Sequence, residues 1–213
     1  MNLKNLKIKI MKFISTSFKA FRKVIQLLNS FFYLPFSRVM FALNGASIAP
    51  GLKVLGFIKV YVTRRGRFTA ADNLHLNSGD NHNIIGRQQK CIFWVEGELI
   101  IGRDVGISGT AIICTHKIVI GNNVKIGGNC VIYDTDFHSL NKKFRSDIAM
   151  DRLNTKWAPV VIEDNVFLGA HSTVLKGAHI GDGAVIGSCS VVTGLIPSNE
   201  VWAGNPIRFI RKL

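Results

Sequence analysis

Aliphatic side chains recur every six residues through the C-terminal half of the chain, and that spacing constrains the fold more than any other feature. Ile162, Leu168, Val174, Ile180, Ile186 and Val192 form an unbroken series, and Gly follows at Gly169, Gly181 and Gly187. Small or apolar residues stand two positions before each following rung, at Val166, Ser172, Ala178, Ala184 and Ser190. Ile120, Ile126 and Ile132 keep the same step, as do Ile101 with Ile107 and Ile48 with Val54 and Val60, so the first coils begin near Ala46. A helix repeats every 3.6 residues and a strand alternates every 2, so neither yields a strict six. One short strand plus one turn, repeated, does. Such a unit buries its single inward side chain only by stacking on the next, which is the logic of an all-β solenoid.

The ladder is interrupted in an informative way. Over 61–100 it loosens, with Thr63–Arg67 and Asn77–Asn83 reading as turns or ejected loops, and between Ile113 and Ile120 it takes a step of seven. The main break follows Ile132. The next rung falls on His138, and the stretch Ser139–Ala158 then holds seven charges in twenty residues before the series resumes at Ile162. A polar loop near 138–159 thrown out of a rigid scaffold is where function concentrates. The segment entering it is Asp134-Thr135-Asp136-Phe137-His138. Asp136 and His138 occupy two successive slots that are otherwise small or aliphatic, and polar groups in such slots are costly unless paired. In an extended segment, residues two apart share a face, so Asp136 is expected to reach or orient His138.

Composition narrows the class. A chain of 213 residues that is 47% hydrophobic is neither disordered nor collagen-like and has a one-domain length with room for an appendage. Cys91, Cys114, Cys130 and Cys189 form no CxxC pair and no metal spacing; Cys130 and Cys189 read as small core fillers, which suits a reducing compartment. His171 and His179 lie within repeats and His75, His82 and His116 in loops or turns, so these five read as surface or structural residues. Charge is uneven: residues 1–71 carry 13 Lys/Arg and no acid, whereas 72–213 carry 14 Lys/Arg against 13 acids.

The basic excess coincides with an amphipathic pattern. From Ile10 to Phe32 the apolar residues fall on one helical arc, with Lys12, Lys19, Arg22 and Lys23 opposite. A Phe-rich face backed by cations fits a helix lying in the plane of an anionic membrane surface, peripheral on the inner face of the cell membrane. The longest uncharged run, Val24–Ser37, has 14 residues, short of the roughly 20 that a spanning helix needs. No small-residue cleavage site marks a signal peptide. A tight hairpin through Pro35, or a helix that caps the solenoid, are the competing readings. No motif supports nucleic-acid binding. The chain thus divides into a basic helical segment, 1–45, and a repeat domain, 46–213.

The stretches IGNNVKIGGNCVIYDTDFH, VVIEDNVFLGAHSTVLKGAHIGDGAVIG and SVVTGLIPSNEVWAGNPIRFIRKL resemble the hexapeptide-repeat acyltransferases, nearest the sugar and polysaccharide O-acetyltransferases. The resemblance implies a left-handed parallel β-helix, against the usual right-handed crossover, and a homotrimer with sites between subunits. It places His138 at the catalytic base, taking a proton from a sugar hydroxyl that attacks the acetyl-CoA thioester, chemistry that imidazole suits. Acetyl-CoA is implied as co-substrate, with Ala170, Ser188, Thr193, Arg208 and Arg211 at the cofactor positions; the arginines would face its phosphates. Acceptor contacts fall to Asp134 and to Ser108, which stands where some sugar acetyltransferases carry Asn. The Asp-Thr-Asp-Phe-His string resembles modifiers of capsule, exopolysaccharide or lipopolysaccharide. Competing functions are N-acetylation of an amino-sugar nucleotide, zinc chemistry like that of the carbonic anhydrases on this fold, and a non-catalytic membrane scaffold. The zinc reading lacks the expected HxxxxH pair.

Overall fold

The computed structural model describes residues 3–79, 82, 83, 85 and 89–213. Among them, strands form three sheets of seven, eight and six members, parallel throughout except for the last strand, Arg208–Lys212, which joins the second sheet antiparallel. Up to that strand the chain visits the three sheets in strict rotation. One coil, for example, runs from Lys117–Ile120 in the first face to Lys125–Ile126 in the second and Val131–Tyr133 in the third. Each strand pairs in register with its counterpart one coil away: Ile120 lies beside Ile101 and Ile162, Ile126 beside Ile107 and Leu168, and Ile132 beside Ile112 and Val174. The six-residue period is thus one strand and one corner, and three such steps close a turn. This strand order fits the left-handed β-helix expected of the repeats.

The rungs fill the interior. Ile162, Leu168, Val174, Ile180, Ile186 and Val192 are all fully buried, and the intervening small residues Val166, Ser172, Ala178, Ala184 and Ser190 sit beneath the corners. Corners need a residue with positive φ. Asn123, Asn165 and Asn199 serve one row and Asn129, His171 and Cys189 another, and Asn adopts this conformation more readily than most residues. Cys189, expected as a core filler, therefore faces solvent; it is the corner residue before the buried slot at Ser190. His75, expected in a loop, lies on the strand His75–Asn77. Residues 80 and 81 of the expected Asn77–Asn83 turn lie outside the described residues.

Helix α1 (Leu3–Leu43) precedes the first coil and runs unbroken through Pro35, so no hairpin forms there. Its end is fixed by Gly45 at φ 68, whose N–H donates to the Ala42 carbonyl, while the Ala46 N–H donates to Phe41. Phe41 enters the core against Phe68 and Phe93, and Ser37 is buried. The last turns of α1 therefore close the open end of the stack, while residues 6–25 of the helix are exposed throughout. No helix among the described residues is long and apolar enough to cross a membrane.

Candidate active site

The connection from Val131–Tyr133 to Val160–Ile162 leaves the solenoid at the corner between the third and first faces. It carries α2 (Lys142–Arg145) and α3 (Ile148–Asn154). Its two legs are tied together. Asp136 N–H donates to the Lys156 carbonyl, Ala158 N–H donates to the Asp134 carbonyl, and Thr135 bridges Trp157. Asp134, expected to contact an acceptor, is fully buried. Its carboxylate accepts from the backbone N–H groups of Thr115, His116 and Lys117 and from the Thr115 hydroxyl, all within 2.8 Å. The inward rung of this coil is Ile112 and not Ile113, so the step to Ile120 is eight residues where the sequence suggested seven; the extra residues form the turn, and Asp134 from the next coil satisfies its donors. Burial, with Asp134 beside it, pushes the Cys114 thiol up to about 12, which leaves it unreactive.

His138 projects from the insertion with its side chain 71% exposed. Its Nδ1 lies 2.7 Å from Oδ2 of Asp151 on α3, and the other carboxylate oxygen accepts from the Ser139 N–H at 2.6 Å. The hydrogen bond from His138, and then that from Ser139, hold the Asp151 carboxyl below its ordinary value. An ionised carboxylate only accepts, so Nδ1 is the donor, and in the neutral ring the lone pair falls on Nε2. Asp151 reaches this point because Asp147 caps α3, accepting from Met150 N–H, and residue 151 lies one turn on.

Asp136 does not have the place expected of it. The expectation required an extended segment, but Phe137 adopts φ 62 and turns the chain. Asp136 instead lies 3.5 Å from the Lys176 ammonium, and its Oδ2 is buried without a hydrogen-bond partner. The histidine is thus oriented by a residue that periodicity did not single out.

The expected cofactor and acceptor positions fall on two different corners. Ser108, Ala170 and Ser188 line the corner between the second and third faces: Ala170 and Ser188 lie on successive coils, where Cys189 N–H donates to the Ala170 carbonyl, and the coil of Gly128, whose carbonyl accepts from His171 N–H, stands between Ala170 and Ser108. Arg208 pairs with Ala203 on the antiparallel strand Arg208–Lys212, at the end of that same row; Arg211 shares the strand and is exposed. The Ala170 N–H meets no acceptor among the described residues. Asn83 and Gln89 cover this corner beside Gly109. Thr193, by contrast, follows the third face and shares the corner of His138. Within one chain the third face separates the two groups.

A cavity of about 590 Å³ opens beside the insertion, lined by Glu96, His116, Phe137, Arg152 and Trp157 among others. The His116 imidazole stacks on the Trp157 indole, with centroids 4.0 Å apart and planes at 7°. Phe137 and Arg152, the chain neighbours of His138 and Asp151, line the cavity, while the His–Asp pair itself does not. By sequence His116 reads as a loop residue; its stacking partner lies 41 positions on, outside any repeat. Among the described residues no three His, Cys, Asp or Glu side chains come together as a metal would require.

Comparison with known proteins shows what the chain is similar to. The bacterial transferase hexapeptide model (six repeats) matches residues 159–194. The chain is similar to the galactoside O-acetyltransferase of Escherichia coli (strain K12), 36% identical over 102 residues, or 48% of this chain and 47% of that one. It is also 36% identical over 100 residues to the candidate lipopolysaccharide biosynthesis O-acetyl transferase WbbJ of the same organism, 46% and 51% of the two chains. The chain spans about half the length of these curated relatives. Its fold is similar to that of AntD, an N-acyltransferase from Bacillus cereus solved with dTDP and 3-hydroxybutyryl-CoA, at a TM-score of 0.65 and 17% identity over 84% of this chain and 86% of that one.

Proposed function

We propose that the protein is an acetyl-CoA-dependent O-acetyltransferase acting on a sugar hydroxyl of a surface polysaccharide, a lipopolysaccharide or a precursor of either. The observation that carries this reading is the His138–Asp151 pair, 2.7 Å apart, on a solenoid similar to sugar O-acetyltransferases. Nε2 of His138 takes the proton of the acceptor hydroxyl as its oxygen attacks the thioester carbonyl. The carbon–sulfur bond breaks, and the CoA thiolate leaves to take up a proton. The Ala170 N–H is a donor for the acyl or pantetheine oxygen, and Arg208 and Arg211 face the CoA phosphates. The acceptor ring occupies the cavity against Trp157. Because His138 and the Ser108–Ala170–Ser188 row lie on different corners, a complete site needs a second copy, which supports a closed cyclic assembly such as a trimer. The basic, Phe-rich α1 supports a place at the inner face of the cell membrane, beside a lipid-linked acceptor.

The test is purified full-length protein with acetyl-CoA and a panel of hexoses, N-acetylhexosamines, hexuronates and amino-sugar nucleotides, read by mass. A gain of one acetyl group on a hydroxyl supports the proposal; gain on an amine alone replaces it with N-acetylation. No gain on any acceptor rejects it.

A further inference from the structure

Helix α1 carries two separate faces. Leu34, Ser37 and Phe41, spaced three and four apart, pack on or into the first coil. A second stripe, Ile10, Ile14, Phe18, Phe21, Ile25, Leu28, Phe32, Phe36, Val39 and Leu43, keeps helical spacing over the rest of the helix, and every member is exposed. At 100° per residue the stripe lies on the side of the helix away from the packing residues. It continues past Pro35 to the joint itself, where Phe36 meets the exposed Phe57 of the first coil at 5.2 Å between ring centroids. Capping the solenoid therefore leaves the apolar stripe exposed over roughly 50 Å at 1.5 Å per residue, with Phe36 touching the first coil through Phe57.

Charge selects the occupant. Residues 1–43 contain eight Lys/Arg and no acid. A second copy of α1 laid along the stripe would add eight more cations to this helix with no acidic residue on either helix to offset them. An anionic lipid surface satisfies both the apolar stripe and the net positive charge of the helix.

We propose that α1 is a fixed joint between the solenoid and an anionic bilayer: one face closes the first coil while the other lies in the membrane from Ile10 to Leu43. Membrane attachment then sets the orientation of the solenoid, because the lipid-facing stripe and the Phe41 anchor belong to one continuous helix. This deepens the membrane placement in the proposed function and rests on that part of it, but not on the acetyl-transfer chemistry.

The test uses the full-length chain in a Cys189→Ser background, which removes the exposed thiol and leaves Cys91, Cys114 and Cys130 buried. Single cysteines carrying an environment-sensitive dye replace Phe18, Leu43 or Lys12, and vesicles contain phosphatidylglycerol or phosphatidylcholine alone. The dye is expected to shift to the blue at positions 18 and 43 with the anionic vesicles only, and to stay unshifted at 12. Phe18→Ser with Phe21→Ser and Leu28→Ser is expected to lower vesicle binding at least ~tenfold, since three buried aromatic or aliphatic side chains are lost. A shift at 18 without one at 43 overturns the joint. Shifts that grow with protein concentration in the absence of lipid assign the stripe to a second copy and overturn the proposal, as does no binding to anionic vesicles. Acetyl transfer to a soluble acceptor, assayed on the same variants, separates failure here from failure of the catalytic reading.

Discussion

Asp151 holds His138 from across the insertion: Oδ2 of one lies 2.7 Å from Nδ1 of the other, although thirteen residues of chain separate them. The pair fixes the imidazole tautomer and sets the general-base reading of Nε2.

Asp151→Asn keeps the shape but removes the charge that fixes the ring. Its expected effect is a fall in kcat of about 10- to 1000-fold with acetyl-CoA affinity unchanged, read by steady-state kinetics and equilibrium binding. The same carboxyl gives a pH signature. Its folded-state pKa is lowered from 3.8, so its contribution to stability is present above that value and disappears as the pH falls through the lowered one. Melting curves of wild type and Asp151→Asn should differ at pH 7 and converge near the acid limit; a gap that widens in acid contradicts this.

Asp134 is a structural residue and not an acceptor ligand. Asp134→Ala strands three backbone N–H groups of the Thr115–Lys117 turn, at a cost of about 2–5 kcal/mol. Chemical denaturation should show that loss. A variant of undiminished stability with a selectively raised acceptor KM would restore the ligand role.

Gly169 lets neighbouring coils approach. A Cβ there would lie 2.6 Å from the Ser188 backbone nitrogen and 2.7 Å from the Ile186 oxygen. Gly169→Ala is expected to lose about 1–3 kcal/mol and to weaken acetyl-CoA binding, since it forces apart the row that holds Ala170 and Ser188. Calorimetric titration with acetyl-CoA checks the second effect.

If the site is shared between copies, two inactive variants complement each other. Mixing His138→Ala with a Ser188→Trp and Arg208→Glu variant, after joint unfolding and refolding, should restore part of the activity that neither shows alone. No recovery, with mixed assemblies demonstrated by mass, argues for a site within one chain.

The stacking of parallel strands was legible because its physics repeats: each strand needs one buried aliphatic, so Ile120, Ile162 and Ile180 announce their stacking before any contact is seen. The helix at the N-terminus was legible by the same argument from its apolar arc, and it falls within the basic segment 1–45. The alternative of a hairpin through Pro35 does not hold, since the helix passes through that residue and is closed by Gly45. His138 stood out because it occupies a rung. Asp151 did not, since the insertion has no period and its partner is chosen by the cap at Asp147 and the turn at Phe137. Asp134 was expected at the acceptor by its place in the Asp-Thr-Asp-Phe-His string. Its inward role depends on donors nearly one coil earlier, a relation that only the closed three-sheet path creates.

The central claim is that His138 is the base of an acetyl transfer from acetyl-CoA, and the most direct measurement is acceptor-dependent release of free CoA thiol by wild type and His138→Ala. The account predicts that the variant loses at least ~100-fold in turnover while binding acetyl-CoA as tightly as wild type. A His138→Ala protein that releases thiol at the wild-type rate would contradict it.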